Sequence, residues 1–166
     1  DALNLCKDNR LDERESLECI LQVSKGVQEL HNHRITHRDL KPENILLKTK
    51  YVPGKPLPLI KLADFGLSTQ KIIMETIAGT KEYIAPEQAK FHNYTNAVDV
   101  WSLGIILDEI LHGTPFYSGE DNKEVFNKIL KTPFKVRNEA IRPAIKELLV
   151  SLLKKKPYER PIIAVI

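Results

Sequence analysis

Cysteine is almost missing from this chain: Cys6 and Cys19 are the two thiols among 166 residues. Two cannot build a disulfide framework, and neither lies in a cluster of metal-ligand type. Both read as reduced thiols of an intracellular protein, so the expected compartment is the cytoplasm, with the nucleus also open to it. Long apolar runs are missing too. None approaches the ~20 residues that span a bilayer, and no membrane partner is expected. The net charge is only +3. Part of it comes from Lys154-Lys155-Lys156, read as a solvated face. No dense basic stripe alternates with aromatics, which argues against a nucleic-acid partner. There is no internal repeat and no low-complexity segment. There is no initiator Met, and Asp1-Ala2-Leu3-Asn4 has nothing of a signal peptide. The chain is therefore expected to be a piece of something longer.

What is present is the composition of one soluble globular domain, with 42% hydrophobic and 28% charged residues, enough to bury a core. Leu17, Ile20, Leu21, Ser24, Val27, Gln28 and His31 recur at three- and four-residue steps. That spacing predicts a long helix with one core-facing side. Asp12, Glu13 and Glu15 suit its first turn, where negative charge meets the helix dipole. Ile35-Thr36-His37 leads into a loop, because Pro42 opposes helix there. Ile45-Leu46-Leu47 and Leu59-Ile60-Lys61-Leu62 are short strand-like runs. The prolines and glycine between them mark a long hairpin connection. Periodicity fades from Leu67 to Ala85, which reads as an ordered or switchable loop. Asn96 to His112 is a helix apolar on nearly all sides, the pattern of a core centre, and Gly113 ends it. Lys123–Lys131 and Pro143–Lys155 are expected to be amphipathic helices. Their apolar faces are Val125, Phe126, Ile129 and Leu130, and Ile145, Leu148, Leu149 and Leu152. The fold class is mainly α with a small β-hairpin.

Three segments carry the chemistry. They are His37-Arg38-Asp39-Leu40-Lys41-Pro42-Glu43-Asn44, then Asp64-Phe65-Gly66, then Gly79-Thr80-Lys81-Glu82-Tyr83-Ile84-Ala85-Pro86-Glu87. In this order and spacing the chain resembles the eukaryotic-type Ser/Thr protein kinases, specifically the larger C-terminal lobe of their catalytic domain. The resemblance covers the chain almost end to end, so residues 1–166 are expected to form that lobe as a partial domain. Asp-Phe-Gly alone would be weak; an eight-residue catalytic-loop match followed by two more motifs is highly specific.

The resemblance implies ATP-dependent phosphorylation of Ser or Thr on protein substrates, with ATP and Mg²⁺ as cofactors. Phosphoryl transfer needs positioning and charge neutralisation more than covalent help. Asp39 would be the catalytic base and Lys41 would set a cation by the γ-phosphate. Asn44 and Asp64 would offer Mg²⁺ the hard oxygens it prefers. Leu46 would lie under the adenine, and Glu43 would border the ATP site. His37 and Phe65 resemble the residues that couple the catalytic loop to the Mg²⁺ loop. Asp99 would hold the catalytic-loop backbone, and Glu87 would pair with Arg160. Singly, each has a plainer explanation: loop Asp and Asn are usually turn formers or caps, a Lys is usually solvated, and Leu46 could be simple core. Their joint occurrence favours the site.

Arg38 beside the base implies dependence on a phosphorylated activation loop, with Thr76 as the phosphosite. Ser68 and Thr69 are weaker candidates. Thr80 would contact Asp39 and Lys41 and help select the acceptor hydroxyl. Glu43 and Glu109 resemble acidic positions that bind basic residues upstream of the acceptor in the cyclic-AMP- and calmodulin-dependent kinases. The kinase small lobe, with its Gly-rich loop and strand Lys, has no counterpart here: the glycine preceding the catalytic loop is Gly26, within a helix. That lobe is the expected partner, and exposed apolar surface is expected where it docks. Two hypotheses follow. One is a part of an active kinase, inactive alone; the other is a complete kinase-like binding or scaffold module. The intact Asp39, Lys41, Asn44 and Asp64 favour the first.

Overall fold

A computed structural model describes residues 10–52, 54–64, 81–90 and 95–163. Helix α1 (Glu13–Asn32) starts at a reciprocal capping box. The Asp12 carboxylate accepts from the Glu15 N–H at 2.7 Å, and Glu15 Oε2 accepts from the Asp12 N–H at 3.3 Å. Cys19, Ile20, Val23 and Val27 are buried along its core face. Leu21, placed on that face by its spacing, lies at the edge of the stripe and is 47% exposed.

Strands β1 (Ile45–Leu47) and β2 (Ile60–Leu62) pair antiparallel, with Ile45 opposite Leu62 and Leu47 opposite Ile60. Their long connection is tied to α1. The Tyr51 hydroxyl donates to Glu15 Oε1 at 2.8 Å, so the capping residue also anchors the loop. Gln22 Oε1 accepts from the Ile60 N–H at 2.9 Å. Gly26 explains how closely α1 meets β2. A Cβ at this position would sit 3.0 Å from Leu62 Cδ1. The close approach offsets the ~1 kcal/mol that glycine costs inside a helix.

Helix α2 (Pro86–Ala89) is short; Pro at its first position and the Gln88 side chain accepting from the Ala85 N–H at 3.0 Å define its start. Helix α3 (Ala97–His112) is buried from Val98 to Asp108, as an all-round apolar pattern demands. Gly113 closes it at φ 84°, its N–H donating to Glu109 O at 2.6 Å. Helix α4 (Asn122–Lys131) is capped by Asp121 and buries Val125 and Ile129. Helix α5 (Pro143–Leu152) buries Ile145, Leu149 and Leu152. Helix α3 is the centre, packed against α1 on one flank and α5 on another, while α2 packs on α4. The fold is mainly helical with one two-stranded sheet.

Two further expectations need correction. The last helix ends at Leu152, not Lys155. Lys155 also leaves the solvated face assigned to it. Its ammonium lies 5.1 Å from the Trp101 ring centre and 4.6 Å from that of Tyr117. It donates to the Tyr117 hydroxyl at 3.0 Å and to Ile129 O. Burial, then the neighbouring Arg160 charge, push its pKa down to about 8.

Candidate active site

The site begins with a carboxylate in the core. Asp99, in the first turn of α3, has no solvent exposure. Its Oδ1 accepts from the Arg38 N–H at 2.9 Å, and its Oδ2 accepts from the His37 N–H at 2.9 Å and lies 2.8 Å from His31 Nε2. A buried carboxylate persists only with such donors. They hold the loop at an unfavourable backbone: Arg38 has φ 72°. For a residue with a Cβ that region costs roughly 1–2 kcal/mol.

Beyond this anchor Leu40 turns into the core, and Pro42–Asn44 form a single 3₁₀ turn. The turn brings Asn44 back on Asp39. Asn44 Nδ2 donates to the Asp39 carbonyl at 2.8 Å and to Asp39 Oδ2 at 3.3 Å. Lys41 Nζ donates to the same Oδ2 at 2.7 Å. With its amide nitrogen committed to a carbonyl, Asn44 keeps Oδ1 as an acceptor.

The hairpin delivers Asp64. The Ala63 N–H donates to Asn44 O at 2.9 Å, carrying the ladder one step past the Ile45–Leu62 pair. His37 Nε2 meets Ala63 O at 3.1 Å, and the His37 ring is fully buried. Strand register, the Gly26 contact and His37 together set Asp64 next to the Pro42–Asn44 turn. Asp64 is a second strained residue, at φ 61°. Asn44 and Asp64 offer an amide oxygen and a carboxylate. This donor set fits Mg²⁺, which takes few protein oxygens and completes its shell with phosphates and water. Among the described residues, no group of three or more His, Cys, Asp and Glu side chains forms a metal cage. Leu46 points away from the core, 42% exposed, as does Leu59 at 57%. Phe65, Thr76 and Thr80 lie outside the described residues, as do Ser68 and Thr69.

An acidic group flanks this arrangement. The Tyr83 hydroxyl donates to Glu109 Oε2 at 2.7 Å, and Ser102 Oγ donates to Tyr83 O at 2.9 Å. Burial raises the Glu109 carboxyl above its ordinary range, and the charges of Glu43 and Glu82 raise it further. The Tyr83 bond and Arg137 act the other way. Glu109 is thus half-buried and bonded, not a plain surface charge. Glu82 joins Glu43 and Glu109 without having been singled out in the sequence; its one signal was its place beside Tyr83.

Glu87 and Arg160 form a two-pronged pair at 2.6 and 2.8 Å. Arg160 also donates to Lys154 O and Ala97 O, both at 2.8 Å, and its guanidinium lies 5.2 Å from the Trp101 ring centre. The pair joins α2 to the segment after α5, although 73 residues separate the two side chains. No helix among the described residues is long and apolar enough to cross a membrane.

The chain as a whole is similar to known proteins. The protein kinase domain family matches residues 1–166. The chain is 35% identical over 159 residues to the calcium and calcium/calmodulin-dependent serine/threonine-protein kinase of Lilium longiflorum, covering 92% of this chain and 30% of that protein. It is 38% identical over 156 residues to the serine/threonine-protein kinase H1 homolog of Danio rerio, covering 89% of this chain and 36% of that one. Serine/threonine-protein kinase 33 of Mus musculus is 32% identical over 180 residues, covering 96% and 37%. The chain spans roughly a third of the length of these relatives. Match and motifs agree: the chain belongs to the protein kinase domain family.

Proposed function

We propose that the protein transfers the γ-phosphoryl group of ATP to Ser or Thr hydroxyls of protein substrates, with Asp39 as base. The observation that carries this is the Asp39–Lys41–Asn44 group. One carboxylate oxygen faces a lysine ammonium at 2.7 Å, on a turn locked by Asn44. Asp39 accepts the proton as the substrate oxygen attacks phosphorus; the bond to the ADP oxygen breaks, and ADP leaves. Lys41 offers positive charge to the transferring group. Asn44 and Asp64 hold Mg²⁺, which supplies neutralisation of phosphate charge when bound. Leu46 would lie under the adenine, and Glu43 would border the nucleotide.

Glu43 and Glu109, now joined by Glu82, give the substrate reading: basic side chains upstream of the acceptor. The interaction of Glu109 with both other acids supports it. Thr80 selects the acceptor and phosphorylated Thr76 orders Arg38. A cytoplasmic or nuclear setting suits such an enzyme. Residues 1–166 alone contain no Gly-rich loop or strand Lys for the phosphates, so the isolated chain has negligible activity.

The test is Asp39→Asn in the full-length protein, with nucleotide binding and peptide phosphorylation measured separately. Transfer should fall ~10²–10⁴-fold, the range of a lost general base, with nucleotide affinity retained. Undiminished transfer would remove Asp39 from the chemistry.

A further inference from the structure

A second buried carboxylate lies one residue from Glu109. Asp108, in the interior of α3, has no exposure. Arg137 reaches it from the segment between α4 and α5, 29 residues further on. The guanidinium donates to Asp108 Oδ2, to the carbonyl of Thr114 and, at 3.2 Å, to Thr114 Oγ1. It also lies 5.8 Å from the Phe116 ring centre. His112 completes the group, its Nδ1 at 2.7 Å from Asp108 O and 3.2 Å from Asp108 Oδ1.

Packing does not require this. An apolar residue at position 108 would suit a helix buried all round, and burying a carboxylate is costly unless it is paired. What the group does is tie the turn after α3 back to the helix interior, just before its last turn. A helix end frays when its last carbonyls lack partners. Here the end carries Glu109. Arg137 fixes the Thr114 turn on one side of that residue, while Tyr83 holds its carboxylate on the other. Arg137 is also a cation that acts on Glu109, opposing Glu43 and Glu82.

We propose that Arg137 is a positioning residue for the acidic group: by clamping the Thr114 turn onto Asp108, it holds Glu109 ready for a basic substrate side chain. This rests on the basic-substrate reading above. It assigns Arg137 to affinity for one class of substrate rather than to the transfer step.

The test uses the full-length protein with both members replaced, Asp108→Leu with Arg137→Leu. Substituting a buried pair by apolar residues is often neutral for stability. Two acceptor peptides, differing only in Arg or Ala upstream of the hydroxyl, are compared by steady-state kinetics. KM for the Arg peptide should rise ~10-fold, the loss of one charge-assisted contact, while KM for the Ala peptide and both kcat values stay within about twofold. Arg137→Lys keeps the charge but cannot reach Asp108 and Thr114 together as the guanidinium does, and should move the same KM in the same direction by about threefold. An unchanged ratio of the two KM values in both variants overturns the proposal. So does an equal rise for both peptides, which would mark general damage. A wild-type protein indifferent to the upstream Arg removes the basic-substrate reading itself, and this inference with it.

Discussion

Replacing Asp99 by Asn exchanges one acceptor oxygen for an NH₂ group in a site with no solvent exposure. Asp99 faces three donors, the N–H groups of His37 and Arg38 and His31 Nε2. Asn can accept from one loop N–H and must present hydrogens to the other. A buried N–H left without a partner costs about 1–3 kcal/mol. The same bonds hold Arg38 at φ 72°, and relaxation of that backbone once a bond is lost returns part of the cost. The expected loss is therefore about 1–3 kcal/mol, a large share of the ~5–15 kcal/mol that holds a domain folded. Denaturant unfolding measures the total. Amide hydrogen exchange measures where it falls: the amides of His37 and Arg38 should exchange at least ~5-fold faster, with α5 amides following only the global change. Unaltered exchange at those two amides, or a loss below ~0.5 kcal/mol, would refute the anchoring argument.

Arg160→Met leaves Glu87 charged in a buried place and should cost ~3–5 kcal/mol, whereas Glu87→Leu with Arg160→Met should cost clearly less; equal losses would show that the pair is not the source. Lys155 predicts a pH effect. Its folded pKa, about 8, lies below the unfolded 10.5, so between these values the unfolded chain holds more protons and stability rises with pH. Screening of a half-exposed ammonium reduces the gain to roughly 1–2 kcal/mol; Lys155→Met should lack this increment, and an identical pH profile would count against it. Gly26→Ala gains helix propensity but drives a Cβ to 3.0 Å from Leu62. A net loss of about 1 kcal/mol by thermal unfolding is expected, and a stabilised variant would show that β2 yields freely.

The helices were legible because periodicity is local: Leu17 to His31 and Val98 to Ile110 state which side is buried without reference to anything distant. The meeting of Asp39, Lys41 and Asn44 was legible for the same reason, since the three lie within one short stretch of chain. Lys155 was not. In sequence it is the middle of three lysines, and its fate depends on Trp101 and Tyr117 in other elements. The Asp108–Arg137 pair is hidden likewise: an Asp in an apolar helix and an Arg in an irregular segment carry no mutual signal until α3 and that segment meet. Tyr51 and Glu15 meet across 36 residues, so the hairpin connection read only as length.

Trp101 is the single tryptophan of the chain. Its ring has Lys155 at 5.1 Å, Arg160 at 5.2 Å and a stacked Tyr117 at 5.8 Å. The chain thus carries one indole, placed where two cations polarise it, and one of those cations closes the Glu87 pair. Its emission is a label-free gauge of the C-terminal half. Proton loss at Lys155 near pH 8 should register in its intensity, and release of Arg160 from Glu87 in its colour, each before the helices unravel.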